Sequence, residues 1–87
     1  MHEASLLRDL MEKIESIVVS DGGGTLASIR VSVGALSHMS PEHFREHFDQ
    51  ATSGTRFHGA RVDVRLLEDY DHPHAQDIIL ESVEVTQ

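Results

Sequence analysis

Residues 27–50 read ASIRVSVGALSHMSPEHFREHFDQ, and the change of rhythm inside this stretch decides the fold. Ala27, Ile29, Val31 and Val33 alternate with Ser28, Arg30 and Ser32, the two-residue period of a strand with one buried face. Gly34 to Met39 interrupts that period as a loop. A helix start follows at Ser40-Pro41-Glu42-His43. A serine at the N-cap accepts a hydrogen bond from the first turn, and proline suits the first helical position because its missing N–H would be unused there. Phe44, Phe48 and Ala51 mark the buried face of this helix, with His47 beside them, and Gly54 closes it.

Upstream, apolar residues at 6, 7, 10, 14, 17 and 18 have helical spacing, with the charges on the opposite face. Glu3 near the start suits the positive end of the helix dipole. Asp21-Gly22-Gly23-Gly24 stops the helix and turns the chain. These glycines are not a phosphate loop, since no Gly-Lys-Ser/Thr follows. Downstream, Ala60, Val62, Val64 and Leu66 alternate with Arg61, Asp63 and Arg65 as a second strand. Residues 68–76 are a polar loop, and a last strand runs from about Asp77 to Val85.

That last strand has a phase conflict. Strict alternation places Ile78 and Leu80 on one face but Val83 and Val85 on the other. A β-bulge near Glu81-Ser82 would bring all four to the core side, and it is preferred to a central strand covered on both faces. The order is therefore α-β-α-β-β. A helical crossover makes the first two strands parallel, and the nine-residue loop before the third permits an antiparallel hairpin. The expected fold class is α/β: a two-layer sandwich, with two helices packed on one face of a three-stranded mixed sheet.

A chain of 87 residues suits one domain with a small core, which self-association into a homo-oligomer would supplement. It has no cysteine, which excludes disulfides, thiolate metal sites and cysteine catalysis. Charged residues throughout positions 1–20 leave no signal-peptide apolar region, and no apolar run approaches membrane-spanning length; a cytoplasmic protein is expected. The net charge of −8 repels phosphate backbones, so nucleic acid is not an expected partner, whereas cations and basic protein surfaces are compatible.

Seven histidines, at 2, 38, 43, 47, 58, 72 and 74, are the chemical signal. A free α-amine, the deprotonated His2 amide and the His2 imidazole Nδ1 close two adjacent chelate rings. Three nitrogens in a plane suit Ni(II) or Cu(II), with a fourth ligand from the Glu3 amide, a side chain or a partner. The bland reading is a terminal histidine with no role. His43-Phe44-Arg45-Glu46-His47 matches the inverted zinc-peptidase pattern, but the chain is too short for a peptidase cleft, and a partly packed histidine beside a solvated one explains the pair. Asp71-His72-Pro73-His74 offers a secondary metal candidate, His72 and His74, against the reading of a solvated turn. His38 and His58 have no obvious partner in sequence.

The start Met1-His2-Glu3, with Ser5-Leu6, resembles that of the HypA/HybF family of hydrogenase maturation factors. The run Ile29-Arg30-Val31-Ser32-Val33-Gly34-Ala35-Leu36-Ser37 is similar to the family's strand and loop. So are Pro41-Glu42 followed by Phe44, Arg45, Phe48 and Asp49, then Thr52, Gly54-Thr55 and Gly59-Ala60. Leu80-Glu81-Ser82-Val83-Glu84-Val85 resembles the family's terminal strand. The resemblance implies a nickel metallochaperone, not an enzyme, that delivers Ni(II) to nickel–iron hydrogenase precursors and in some organisms supports urease. The implied partners are a maturation GTPase and the hydrogenase large-subunit precursor. It places the metal site on Met1, His2 and Glu3.

The family normally inserts a zinc domain with two Cys-x-x-Cys pairs between its last two strands; here only Glu68 to Gln76 stands in that place. The expectation is a single nickel-binding domain over residues 1–87, with no structural zinc. A paralogue that keeps the fold as a non-metal interaction module, with a changed cargo or partner, is the alternative.

Overall fold

The computed structural model describes residues 2–37 and 39–87; Met1 and His38 lie outside the described residues, as do the side chains of His2, Glu3 and Ala4. Its elements are α1 (His2–Ser20), β1 (Thr25–Val33), α2 (Pro41–Thr52), β2 (Arg61–Leu66) and β3 (Ile78–Thr86). The sheet order is β2-β1-β3. β1 runs parallel to β2 and antiparallel to β3. Leu7, Leu10, Ile14 and Val18 of α1 and Phe44 and Phe48 of α2 share one buried cluster with Ile29, Val31 and Val33 of β1, so both helices cover the same face.

Local chemistry sets each boundary. α1 ends in a Schellman turn: the Gly23 N–H donates to the Val18 carbonyl at 2.9 Å and the Gly22 N–H to Val19 at 3.2 Å. Gly22 takes φ +95°, a backbone that side chains resist. Ser40 caps α2 by accepting from the His43 N–H at 3.1 Å, and Pro41 occupies the first turn as expected. The buried face of α2 differs at one residue from the face read in the sequence. Thr52 is buried and Ala51 exposed, because 44, 48 and 52 form one row four residues apart. The Thr52 hydroxyl donates back to the Phe48 carbonyl at 2.8 Å, which satisfies it inside the core.

The phase conflict in β3 resolves as a bulge. Arg30 pairs with Ser82 and Val31 with Leu80, so Glu81 is the extra residue. Ile78, Leu80, Val83 and Val85 all pack against the core in consequence. A second irregularity lies in β1, where Leu26 pairs with Val85 and Ser28 with Glu84, leaving Ala27 as the extra residue. Leu26 is therefore the buried residue, in place of the expected Ala27.

The hairpin that the short loop permits does not form, because β3 pairs with β1 and not with β2. α1 packs over β3 and α2 over β2, so placing β3 beyond β1 gives each edge strand its own helix. The β2–β3 connection consequently crosses the end of β1. Its backbone is tied down there: the Leu67 N–H donates to Val33 (2.9 Å), the Gly34 N–H to Asp77 (2.8 Å) and the Leu36 N–H to Ala75 (2.7 Å). A Cβ on Gly34 would collide with the Ala75 carbonyl, so this crossing requires a glycine.

Candidate metal centre

The fold brings the start of α1 and the β2–β3 connection to the same end of β1. α1 returns directly into β1 through the turn at 21–24, so the start of α1 lies at the end of β1. Leu6, Asp9, Leu10 and Lys13 accordingly line one cleft with Ile78 and Leu80, the first part of β3. The connection carrying His72 and His74 crosses this end, and α2 begins close by in sequence after β1.

Of the terminal candidates, Met1 lies outside the described residues, while His2 and Glu3 open the backbone of α1. The first N–H groups of a helix have no partner within it. Their availability matters for any ligand that would use backbone nitrogen.

The loop candidates are brought close but hold different roles. The His72 and His74 rings lie 5.8 Å apart between centroids. His74 Nδ1 is 2.9 Å from the Asp77 carboxylate, which leaves its Nε2 as the unprotonated nitrogen when the ring is neutral. His72 Nδ1 instead accepts the His74 backbone N–H at 3.0 Å, so its neutral tautomer carries the proton on Nε2. As arranged, His74 presents a lone pair outward and His72 does not. No group of three or more histidine, aspartate or glutamate side chains is placed to hold one ion among the described residues.

The pair on α2 departs from the sequence expectation of one packed and one solvated histidine. His43 and His47 are both half-buried, and their Nε2 atoms lie 2.8 Å apart in a direct hydrogen bond. Helical geometry places residues i and i+4 on one face. Glu46 of the same motif is exposed and faces another way, lining a cleft with Glu42, Arg45, Asp49 and Val62. The peptidase arrangement is therefore not assembled. His58 pairs with Asp49 at 3.0 Å on the surface. The His43–His47 proximity follows the four-residue spacing read in the sequence, whereas the His74–Asp77 contact was missed, although its three-residue spacing was the available signal.

Over residues 1–69 the chain matches the family described as hydrogenase/urease nickel incorporation, metallochaperone, hypA. It is 36% identical over 67 residues to a hydrogenase maturation factor HypA from Methylocella silvestris, an alignment covering 77% of this chain and 59% of that protein. A HypA from Chlorobium limicola is 28% identical over 67 residues (77% and 58%), and one from Acidithiobacillus ferrooxidans 31% over 64 residues (74% and 57%). The chain thus spans somewhat under 60% of the length of these curated relatives. No solved structure matches it. The family match starts with the Met-His-Glu segment, takes in α1, β1, α2 and β2, and stops shortly after β2. On that coverage, the chain belongs to the HypA family of nickel-incorporation metallochaperones.

Proposed function

We propose that this protein is a nickel carrier that holds Ni(II) through the Met1 amine, the His2 amide nitrogen and the His2 imidazole, with Glu3 adjacent, and passes it to the hydrogenase maturation machinery. The observation that carries this reading is the family match, whose span includes these three residues. Two physical points support it. The His2 amide stands at the start of α1, where losing its proton breaks no helical hydrogen bond. A net charge of −8 also favours cation approach. A chelate at a chain terminus occupies only one side of the ion, so an acceptor protein can approach the open side and take it over. Among the described residues, no helix is long and apolar enough to cross a membrane.

In this reading the recipients are a maturation GTPase and the hydrogenase large-subunit precursor, with urease a further client. The connection between β2 and β3, with His72 and His74, stands in place of a zinc-binding insertion, and the whole chain acts as one nickel-binding domain.

The test is Ni(II) titration of tag-free protein beside His2→Ala. In a chain without cysteine, a deprotonated amide nitrogen is the donor strong enough to make Ni(II) square-planar and give its d–d absorption band. The band is expected in the native chain and not in the variant. An equal band in both would overturn the terminal site.

A second reading, a docking module with His2 idle, is favoured by exposed apolar residues around the connection: Leu36, Leu66 (47% exposed) and Tyr70 (66%). Extending the N-terminus by a few residues separates the two, because the carrier loses its nickel and the module keeps its partner.

A further inference from the structure

We propose that His43 and His47 form a second metal site, a two-imidazole chelate on α2 for a divalent transition-metal cation of square-planar or octahedral preference. The geometry carries it. Imidazole nitrogens bind such ions at about 2.0–2.1 Å. Two of them in adjacent positions at a right angle are then about 2.9 Å apart, whereas a tetrahedral angle separates them by about 3.4 Å. The observed Nε2–Nε2 separation is 2.8 Å. The pair is already set as adjacent ligands of a Cu(II) or Ni(II) ion, and less well for tetrahedral Zn(II).

The proton chemistry agrees. A hydrogen bond between two Nε2 atoms requires a proton on one of them. A cation takes the place of that proton, which moves to Nδ1 of the ring that gave it up, so both neutral rings present an Nε2 lone pair to the ion. No side chain has to be carried in from elsewhere. Both rings are half-buried against the helix that holds Phe44 and Phe48 in the core, and these two phenylalanine rings stack 6.1 Å apart. Little side-chain freedom remains to be lost on binding. Glu42, Glu46 and Asp49 give the same helix an acidic surface, with Arg45 as the opposing charge. Two imidazoles fill two coordination positions. The others are left to water or to further donors, which makes this a readily exchanging site.

The experiment uses full-length, tag-free His2→Ala protein, so the terminal chelate is removed first and the two readings fail separately. Substoichiometric Cu(II) is added while the imidazole C–H resonances are followed by NMR. The His43 and His47 signals are expected to broaden together, ahead of those of His58, His72 and His74. Replacing either residue in that background, His43→Gln or His47→Gln, is expected to weaken Cu(II) binding about tenfold or more by calorimetry. Circular dichroism checks that each variant folds. Persistence of the His43 and His47 signals while other histidines broaden overturns the proposal. So does undiminished binding in both folded glutamine variants. The NMR result decides the matter even if neither variant folds.

Discussion

Replacing Gly34 with alanine tests whether the β2–β3 connection is locked to the end of β1. The added Cβ would meet the Ala75 backbone carbonyl, and the backbone around Ala75 is not a flexible side-chain tip that can swing aside. Overpacking of this kind costs about 1–3 kcal/mol. Moving the connection away also strains two hydrogen bonds, Gly34 N–H to Asp77 and Leu36 N–H to Ala75, worth about 0.5–1.5 kcal/mol each. The alanine returns somewhat under 1 kcal/mol by restricting the unfolded chain. A central value is about 3 kcal/mol. In a domain of this size each kcal/mol moves the melting temperature by about 4–8 °C, so Gly34→Ala should melt about 12–24 °C lower. Gly23→Ala is the control. Gly23 has φ +73° and no atom within 4 Å of where a Cβ would stand, so only backbone strain of about 1 kcal/mol applies. Both variants are melted by circular dichroism at one protein concentration. If Gly34→Ala melts within about 3 °C of the parent, or Gly23→Ala is the more damaging, the steric account of the crossing is wrong.

Phe44→Ala should cost about 3–5 kcal/mol in urea unfolding, since Phe44 is fully buried between helix and sheet. Deleting Glu81 removes the bulge and turns either Ile78 and Leu80 or Val83 and Val85 away from the core; loss of the cooperative transition is expected, whereas Glu81→Ala should keep it. Nickel binding at the terminus should weaken as pH falls, by about tenfold or more per pH unit near the imidazole range around 6.5, because the ligands must shed protons; calorimetry in matched buffers reads this, and pH-independent affinity would refute the chelate.

The two bulges show what the sequence made legible. The one at Glu81 announced itself, because Ile78 and Leu80 conflict in phase with Val83 and Val85, and only an extra residue reconciles them. The one at Ala27 left no such trace. Ala27 fits the alternation with Ile29, and the competing claim of the larger Leu26 appears only when β3 is paired alongside. Thr52 was hidden for a related reason: a threonine reads as polar until its hydroxyl is seen bonded to the preceding turn. The side of β1 taken by β3 was also illegible. It depends on which strand each helix covers, a choice between tertiary arrangements with the same local patterns. The family pattern was readable along residues 1–69, because the residues at the chain start and in the loop after β1 are specific in type as well as in spacing.

The same crossing links stability to the metal question. The connection bearing His72 and His74 is held by the backbone of Gly34 and Leu36, at the end of β1 where α1 also starts. Gly34→Ala therefore displaces that connection without touching Met1, His2 or Glu3. If the terminal chelate acts alone, the variant melts lower yet binds Ni(II) with unchanged affinity at a temperature where it is folded. If His74, with its Nε2 left unprotonated by Asp77, supplies the fourth ligand, the affinity falls together with stability. The His43–His47 pair lies on α2, which Phe44 and Phe48 anchor in the core. A nickel affinity that follows the melting temperature in Gly34→Ala but recovers on adding His74→Ala would contradict the coupling, because the second substitution removes the loop nitrogen poised to bind.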